Sequence, residues 1–254
     1  MKITFLGTAS AGGVPRFGCT CAACVRARID HNFKRRPCSA LIEHDNTCIL
    51  IDAGLMDLHE CFTPEELDAI VLTHFHPDHV QGLFHLRWGR GTPIAVYTPP
   101  DRDGCADLYK NPGILKFSTL HKFQTIQVGT LRFTPLPLTH SKITFGYAIE
   151  DQYGTRFAYL TDTIGLPDET VNFLKLWGVF DMAIDCSHPP TAKPRNHNDW
   201  MRAHHCAQQT GARITWLTHI DHELDAWIIQ HHPKLPPHIR LAQDGECIVW
   251  NQSK

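Results

Sequence analysis

Thr73-His74-Phe75-His76-Pro77-Asp78-His79 follows directly on the apolar, β-branched run Ala69–Thr73. That run has the length and composition of a strand. Alternate side chains of an extended chain share a face, so His74 and His76 point the same way. A turn at Pro77, followed by a helix start, returns Asp78 and His79 to the same point. Three imidazoles and one carboxylate within six residues form a dense nitrogen and oxygen donor set, suited to Zn, Mn, Fe or Ni. A solvated His-rich loop is the competing reading, and it accounts for a lone His pair better than for this cluster.

Further donors recur downstream, each just past an apolar run. Leu131–Leu138 leads to Thr139-His140-Ser141, Phe157–Thr161 to Asp162, and Ile214–Thr218 to His219. Strand ends deliver side chains to a shared rim, where loops carry chemistry on a rigid scaffold. Any one of these alone reads as a polar strand cap. Together with the His-rich loop they supply enough donors for two metal ions.

Other strand-length runs are Ile3–Leu6, Ala40–Glu43, Cys48–Ile51, Ile94–Tyr97, Phe145–Ile149, Met182–Asp185 and Cys247–Trp250. Helical patterns cover Ala22–Ile29, Asp168–Trp177, Asp199–Thr210 and Leu224–His231. Strands dominate the early half, and strands alternate with helices later. The expectation is an α+β fold of two sheets packed face to face with helices outside. Without a repeat, low-complexity tract or Pro/Gly/Ser linker, the chain reads as one domain over residues 1–254.

The composition narrows the class. The chain has 254 residues, 43% hydrophobic and 20% charged, with a net charge of −2. That balance disfavours a protein gripping nucleic acid or an anionic membrane by bulk charge. The 18 His are a surplus, for which metal sites are the commonest chemical reason. No run approaches the roughly 18 apolar residues of a membrane span. Ala9-Ser10-Ala11 has the look of a signal-peptidase site, but the apolar stretch before it is too short. The expected location is cytoplasmic.

A second constellation is Cys19-x-Cys21-x-x-Cys24, in a Gly-rich loop entering the helical stretch Ala22–Ile29. Three thiolates in six residues reach one soft ion, and tetrahedral zinc needs a fourth ligand. Cys38 is the nearest further cysteine. His222, three residues after His219, is the other candidate. A disulfide framework is disfavoured in a chain this long without an oxidising compartment.

The pattern His74-x-His76-x-Asp78-His79, then His140, Asp162 and His219, with Asp52-Ala53-Gly54 after an early strand, resembles the metallo-β-lactamase superfamily. The resemblance implies an αββα sandwich with a binuclear site at the open edge between the sheets. It places His74, His76 and His140 on one metal, and Asp78, His79 and His219 on the other, with Asp162 bridging. Further motifs sharpen it. They are Gly18-Cys19-x-Cys21-x-x-Cys24, Ser141-Lys142-x-Thr144-Phe145-Gly146-Tyr147, Asp185-Cys186-Ser187-His188-Pro189-Pro190, Pro194-Arg195-Asn196-His197 and Leu217-Thr218-His219-Ile220-x-His222. Over essentially the whole chain these resemble the PhnP-type phosphodiesterases of the carbon–phosphorus lyase pathway of phosphonate use. That resemblance implies a structural zinc on Cys19, Cys21, Cys24 and His222, and a homodimer. It also implies two catalytic divalent ions (Mn, Ni or Zn) and hydrolysis of 5-phosphoribosyl 1,2-cyclic phosphate to ribose 1,5-bisphosphate.

In that chemistry His197 is the candidate phosphate contact and proton donor, because an imidazole titrates near neutral pH. Asp162 and Asp78 are catalytic through the metals, although Asp78 also has the chemistry of a base. Arg195 reads either as a grip for a second phosphate or as a solvated loop charge, and His188 as scaffold or pocket wall. Gly7-x-x-x-x-Gly12-Gly13 lacks the Lys-Ser/Thr of a nucleotide loop and is expected to be a tight turn supporting the site. A tRNA 3′-processing nuclease needs an RNA-gripping arm, but the seven Lys or Arg between His79 and His140 are interleaved with acids. A thiolesterase, or a non-enzymatic handler of a pyrroloquinoline cofactor, stays open on ligands alone. The expected partner is a small phosphodiester, with no nucleic acid and no membrane.

Overall fold

The computed structural model describes residues 1–191 and 193–250. Its first half runs β1 (Lys2–Gly7), α1 (Ala22–Ile29), β2 (Ser39–His44), β3 (Thr47–Ile51), α2 (Leu58–Cys61), β4 (Ala69–Val71), α3 (Pro77–Val80), α4 (Leu83–Leu86), β5 (Ile94–Thr98), α5 (Ala106–Lys110) and β6 (Leu115–Thr119). The second runs β7 (Ile126–Val128), β8 (Leu131–Pro137), β9 (Phe145–Asp151), β10 (Arg156–Leu160), α6 (Asp168–Trp177), β11 (Asp181–Asp185), α7 (Trp200–Thr210), β12 (Thr215–Thr218), α8 (His222–His231), β13 (Ile239–Leu241) and β14 (Cys247–Val249). Two seven-stranded mixed sheets result, ordered β14-β1-β2-β3-β4-β5-β6 and β13-β12-β11-β10-β9-β8-β7.

Period-two patterning explains how the layers assemble. Ile3, Phe5, Ile49 and Ile51 of the first sheet meet Phe145, Tyr147, Phe157 and Tyr159 of the second in a core between the sheets. The intervening residues turn outward. Leu50, Ile70 and Val96 pack with Leu58, Leu83 and Leu108 of the short helices on one outer face. Ala158, Leu160 and Ile184 pack with Leu174, Ala203 and Leu224 of α6, α7 and α8 on the other. Central strands buried on both faces read as unbroken apolar runs, which made them visible in the sequence.

Strand direction sets where the chemistry goes. β3, β4 and β5 are parallel, as are β10, β11 and β12. β8 is antiparallel to β9, which is antiparallel to β10, so β8 runs the same way as β10. The carboxyl ends of β3, β4, β8, β10, β11 and β12 therefore release Asp52, His74, His140, Asp162, Asp185 and His219. Ligands of open α/β sheets gather at that kind of edge.

The sequence reading misses β6, β7 and β13. These are short strands away from the sheet centres, partly exposed, without a continuous apolar run. It also starts α8 two residues late: Asp221 caps the helix by accepting from the Glu223 N–H, which brings His222 into the first turn. The opening Gly-rich segment is a supporting turn, as expected. Gly13 N–H donates to Ser10 O, Ile220 N–H donates to Thr8 O, and Ser10 Oγ donates to Asp221.

Candidate metal centre

Two donor groups meet at this edge and share Asp162. One is His74, His76, His140 and Asp162; the other is Asp78, His79, Asp162 and His219. Within each, one ligand atom per residue lies within 4.8 Å of all the others. In the first, His76 Nδ1 is 2.8 Å from His74 Nε2 and 3.0 Å from His140 Nε2. Asp162 Oδ2 is 3.6 Å from His74 Nε2 and 3.7 Å from His140 Nε2. In the second, His79 Nε2 is 3.3 Å from Asp78 Oδ2 and 3.4 Å from Asp162 Oδ2, while His219 Nε2 is 3.2 Å from Asp162 Oδ1. All seven donors read from the sequence are brought together.

The far side of most of these rings is tied. Thr73 Oγ1 lies 3.0 Å from His74 Nδ1 and donates to Asp52, and Asp52 Oδ2 is 2.7 Å from His79 Nδ1. Ser187 Oγ is 2.8 Å from His219 Nδ1, and Asn196 O is 3.1 Å from His140 Nδ1. Such partners hold the proton on Nδ1, so that Nε2 keeps its lone pair toward the cluster. His79 Nε2 and His219 Nε2 are buried and have no hydrogen-bond partner. Asp52, Asp78 and Asp162 are all buried, and among the described residues no Lys or Arg pairs with them within 4.0 Å. Orphaned imidazole nitrogens beside buried carboxylates that no Lys or Arg neutralises fit a pair of divalent cations.

The electrostatics have the same sense. Burial opposes ionisation of Asp162, yet His219 and His79 hold its carboxyl well below the usual range. Burial also opposes a charge on His79, but Asp162, Asp52 and Asp78 outweigh it and hold the imidazole well above the usual range; a cation drawn into the same negative field would displace the Nε2 proton. Burial and neighbouring imidazoles push His74, His76 and His140 down, which keeps them neutral and able to coordinate.

His197 sits over the rim, its ring stacked on His219 at a centroid distance of 4.7 Å. Its Nδ1 is 2.6 Å from Asp185 Oδ2. Burial lowers its pKa, but Asp185 overcomes this and raises it to about 9. Asp185 also accepts from Thr163 N–H and Ser187 Oγ. It thereby orients His197, and one of its oxygens lies within 4.8 Å of ligand atoms of Asp162, His197 and His219. His188 lies 6.2 Å from His197, ring to ring. Arg195 is exposed, and its carbonyl accepts from the His197 N–H. The sequence reading missed the partners Thr73, Asp185 and Ser187, whose residue types are too common at strand ends to stand out.

Three of the seven non-glycine residues with positive φ among the described residues lie at these turns. Asp52, Asp162 and His219 adopt left-handed φ values of 57°, 29° and 58°. Non-glycine residues in that region cost energy and cluster at functional sites. Gly54 serves a different need: a Cβ there would lie 1.7 Å from the Asp78 carbonyl oxygen. It lets the β3 turn touch the His-rich loop, where Ala53 N–H donates to His79 O. Gly54→Ala is expected to destabilise the fold by about 3 kcal/mol, the upper end for overpacking. Thermal or urea unfolding checks this, and an unchanged midpoint would contradict it.

The cysteines form a separate set. Cys19 Sγ and Cys21 Sγ lie 3.4 and 3.5 Å from His222 Nδ1, and Cys24 joins them within the 4.8 Å limit. Burial pushes the Cys24 thiol up to about 12, a cost that a bound cation would remove. Asp221 Oδ1 is 3.4 Å from His222 Nε2, and Arg16 Nη1 is 3.0 Å from the same nitrogen. Cys38 is excluded as the fourth member. It is buried elsewhere, 3.2 Å from Tyr159 Oη and 3.4 Å from Thr218 Oγ1.

The family profile described as beta-lactamase superfamily domain matches residues 47–220. A solved diphosphatase of the PhnP family is 28% identical, with a TM-score of 0.80 over 97% of this chain and 96% of that one. Zinc-bound PqqB of Methylobacterium extorquens is 19% identical with a TM-score of 0.75, over 98% and 100% of the two chains. An octanoyltransferase of Porphyromonas gingivalis is 30% identical over 98% of this chain. The chain spans only 52% of that protein's length, and 61% of its Mycobacterium tuberculosis relatives. With the profile covering well over half of the chain and the sandwich and its edge in place, the chain belongs to the β-lactamase superfamily, with the metallo-β-lactamase fold.

Proposed function

We propose that this protein is a binuclear metal-dependent phosphodiesterase acting on a small phosphodiester, with a ribose cyclic phosphate of phosphonate catabolism as the substrate class. One observation carries the reading: the two donor groups sharing Asp162 are accompanied by a His197–Asp185 pair poised at the same rim. The likeness to the PhnP-family diphosphatase, across nearly the whole of both chains, supports it. His74, His76, His140 and Asp162 would hold one divalent ion, and Asp78, His79, His219 and Asp162 the other. When bound, such ions supply Lewis-acid polarisation of a phosphoryl group and acidification of water.

The chain's own residues do the rest. Asp52, Thr73 and Ser187 fix the imidazole orientations, so the donor set is organised before substrate arrives. Asp185 accepts a hydrogen bond from the Nδ1–H of His197 and turns its Nε2 to the rim. There it protonates a leaving alkoxide, or hydrogen-bonds the phosphoryl group. A phosphodiester carries a single negative charge, so binding needs no surrounding basic patch, in keeping with the near-neutral chain.

A nuclease reading is less well supported. Residues between His79 and His140 are taken up by the short helices α4 and α5 and by β5, β6, β7 and β8, the outer strands of both sheets. The octanoyltransferase match leaves about half of that protein unaccounted for, so its acyl chemistry is not carried over. Turnover of chromogenic phosphodiesters against carboxyl esters and thioesters, with added Mn or Ni, tests the proposal. Ester or thioester hydrolysis without phosphodiester hydrolysis would overturn it. The homodimer and a cytoplasmic location belong to the same reading, and light scattering of purified protein tests the first.

The Cys19, Cys21, Cys24 and His222 set would hold a structural zinc. It ties the loop before α1 to α8, where the shared apolar cluster is small: Val14, Ala23 and Ala27, with Cys21, Ala226 and Ile229 packed against it. Cys21→Ala is therefore expected to bind one metal equivalent fewer and to unfold at lower temperature, because structural zinc binding is folding free energy. Rates per active site should be unchanged. Elemental analysis and a melting curve check both. Full metal content with an unshifted melt would remove the zinc from this set.

A further inference from the structure

We infer that Thr161 is a positioning residue that gives the two oxygens of Asp162 separate tasks, pinning one so that the other serves both donor groups. The inference rests on the two-cation reading above. Asp162 Oδ2 faces three imidazoles, with His74, His79 and His140 Nε2 at 3.6, 3.4 and 3.7 Å. Asp162 Oδ1 faces His219 and receives the Thr161 hydroxyl at 2.7 Å. A carboxylate free to turn about its terminal torsion, which is soft, would spread over intermediate orientations and aim neither oxygen steadily at the imidazoles.

Thr161 is fully buried, so its hydroxyl proton has no water to go to. Its other neighbour is Cys38 Sγ at 3.8 Å, a far weaker acceptor than a carboxylate oxygen at 2.7 Å. Tyr159 Oη and Thr218 Oγ1 close off the remaining side of Cys38, at 3.2 and 3.4 Å. The carboxylate is thus backed by hydroxyl, thiol and phenol groups with no basic side chain among them. They bias its orientation without competing, as a Lys or Arg would, for the charge that a cation needs. The left-handed φ of 29° at Asp162 supplies a second constraint, since the turn aims the carboxylate across the edge while Thr161 fixes its rotation.

The test is chelator-competition titration of the metal-stripped, full-length chain with Zn²⁺, comparing wild type, Thr161→Val and Thr161→Ser. Wild type should take up one equivalent at the cysteine set and two at the edge. Thr161→Val keeps the shape and loses the donor, and should weaken at least one edge equivalent by about 10–100-fold, the usual cost of removing a partner that orients a ligand. Thr161→Ser should restore affinity to within a few-fold, which a purely steric role for threonine would not allow. Circular dichroism and a cooperative melting curve report that each variant is folded, since three cysteines this close in sequence can hold zinc in an unfolded chain. If Thr161→Val does not fold, Thr161→Ala carries the same expectation. Two edge equivalents bound as tightly by the folded valine or alanine variant as by wild type would overturn the inference. A wild-type chain taking up zinc only at the cysteine set would overturn the two-cation reading instead.

Discussion

Asp162→Ala is expected to lower turnover by more than about 100-fold while the protein still folds. Losing a residue that merely orients a ligand costs about 10–100-fold in metal affinity or activity, and Asp162 is proposed as a direct ligand shared by both groups. Its Oδ2 lies within 3.7 Å of three imidazole nitrogens and its Oδ1 within 3.2 Å of a fourth. Without it the two groups have no common donor, and nothing fixes the separation of the ions. The fold should survive because Asp52 and Asp78 still compensate His79, at 2.7 and 3.3 Å, and because Asp162 bonds to no residue of the apolar core. Metal analysis, circular dichroism and steady-state rates decide the matter together. A wild-type rate at full metal content would remove the bridging role. A variant that does not fold would show the carboxylate to be structural.

The seven edge donors were legible because His and Asp just past an apolar run are conspicuous, and because six strand ends share one edge. His74, His140, Asp162 and His219 could each be placed from the strand before them. The partners behind them could not. Thr73, Ser187 and Asp185 act through hydrogen bonds that only the fold brings together; Asp185 and Ser187 stood in a quoted motif, but nothing in residue type or spacing told which imidazole each holds. Asp52 stood out only through the Asp52-Ala53-Gly54 pattern; its bond to His79 depends on β3 and β4 pairing in parallel. The choice of His222 over Cys38 likewise needed tertiary contacts, since Cys38 begins nearer in sequence but faces Tyr159 across the inter-sheet core. The fold's centre was legible for the reason its margins were not. Buried central strands such as β4 and β11 are apolar throughout, whereas β6 and β7 alternate with exposed residues and fall below that signal.

His197→Ala is expected to lower kcat by roughly 10²–10⁴-fold on a substrate with a poor leaving group, the usual range for losing a general acid or base. Asp185, 2.6 Å from Nδ1, raises the imidazole to about 9 against the burial that would lower it, so the ring carries its second proton at neutral pH. Its stacking on His219 and its 5.0 Å centroid distance from His140 place it over both donor groups. The leaving group separates its two possible tasks. An aryl oxide such as p-nitrophenolate departs without a proton, whereas a sugar hydroxyl does not. As a proton donor, His197 should matter far more for a ribose cyclic phosphate than for an activated aryl phosphodiester. Equal losses on both substrates would make it a phosphoryl contact that donates no proton. No loss on either would leave a histidine that packs against the site without acting in it. Asp185→Asn sharpens the comparison by keeping the side-chain shape while removing the charge that holds the proton on His197. If the proton is the point, this variant should reproduce the leaving-group dependence of His197→Ala in weaker form.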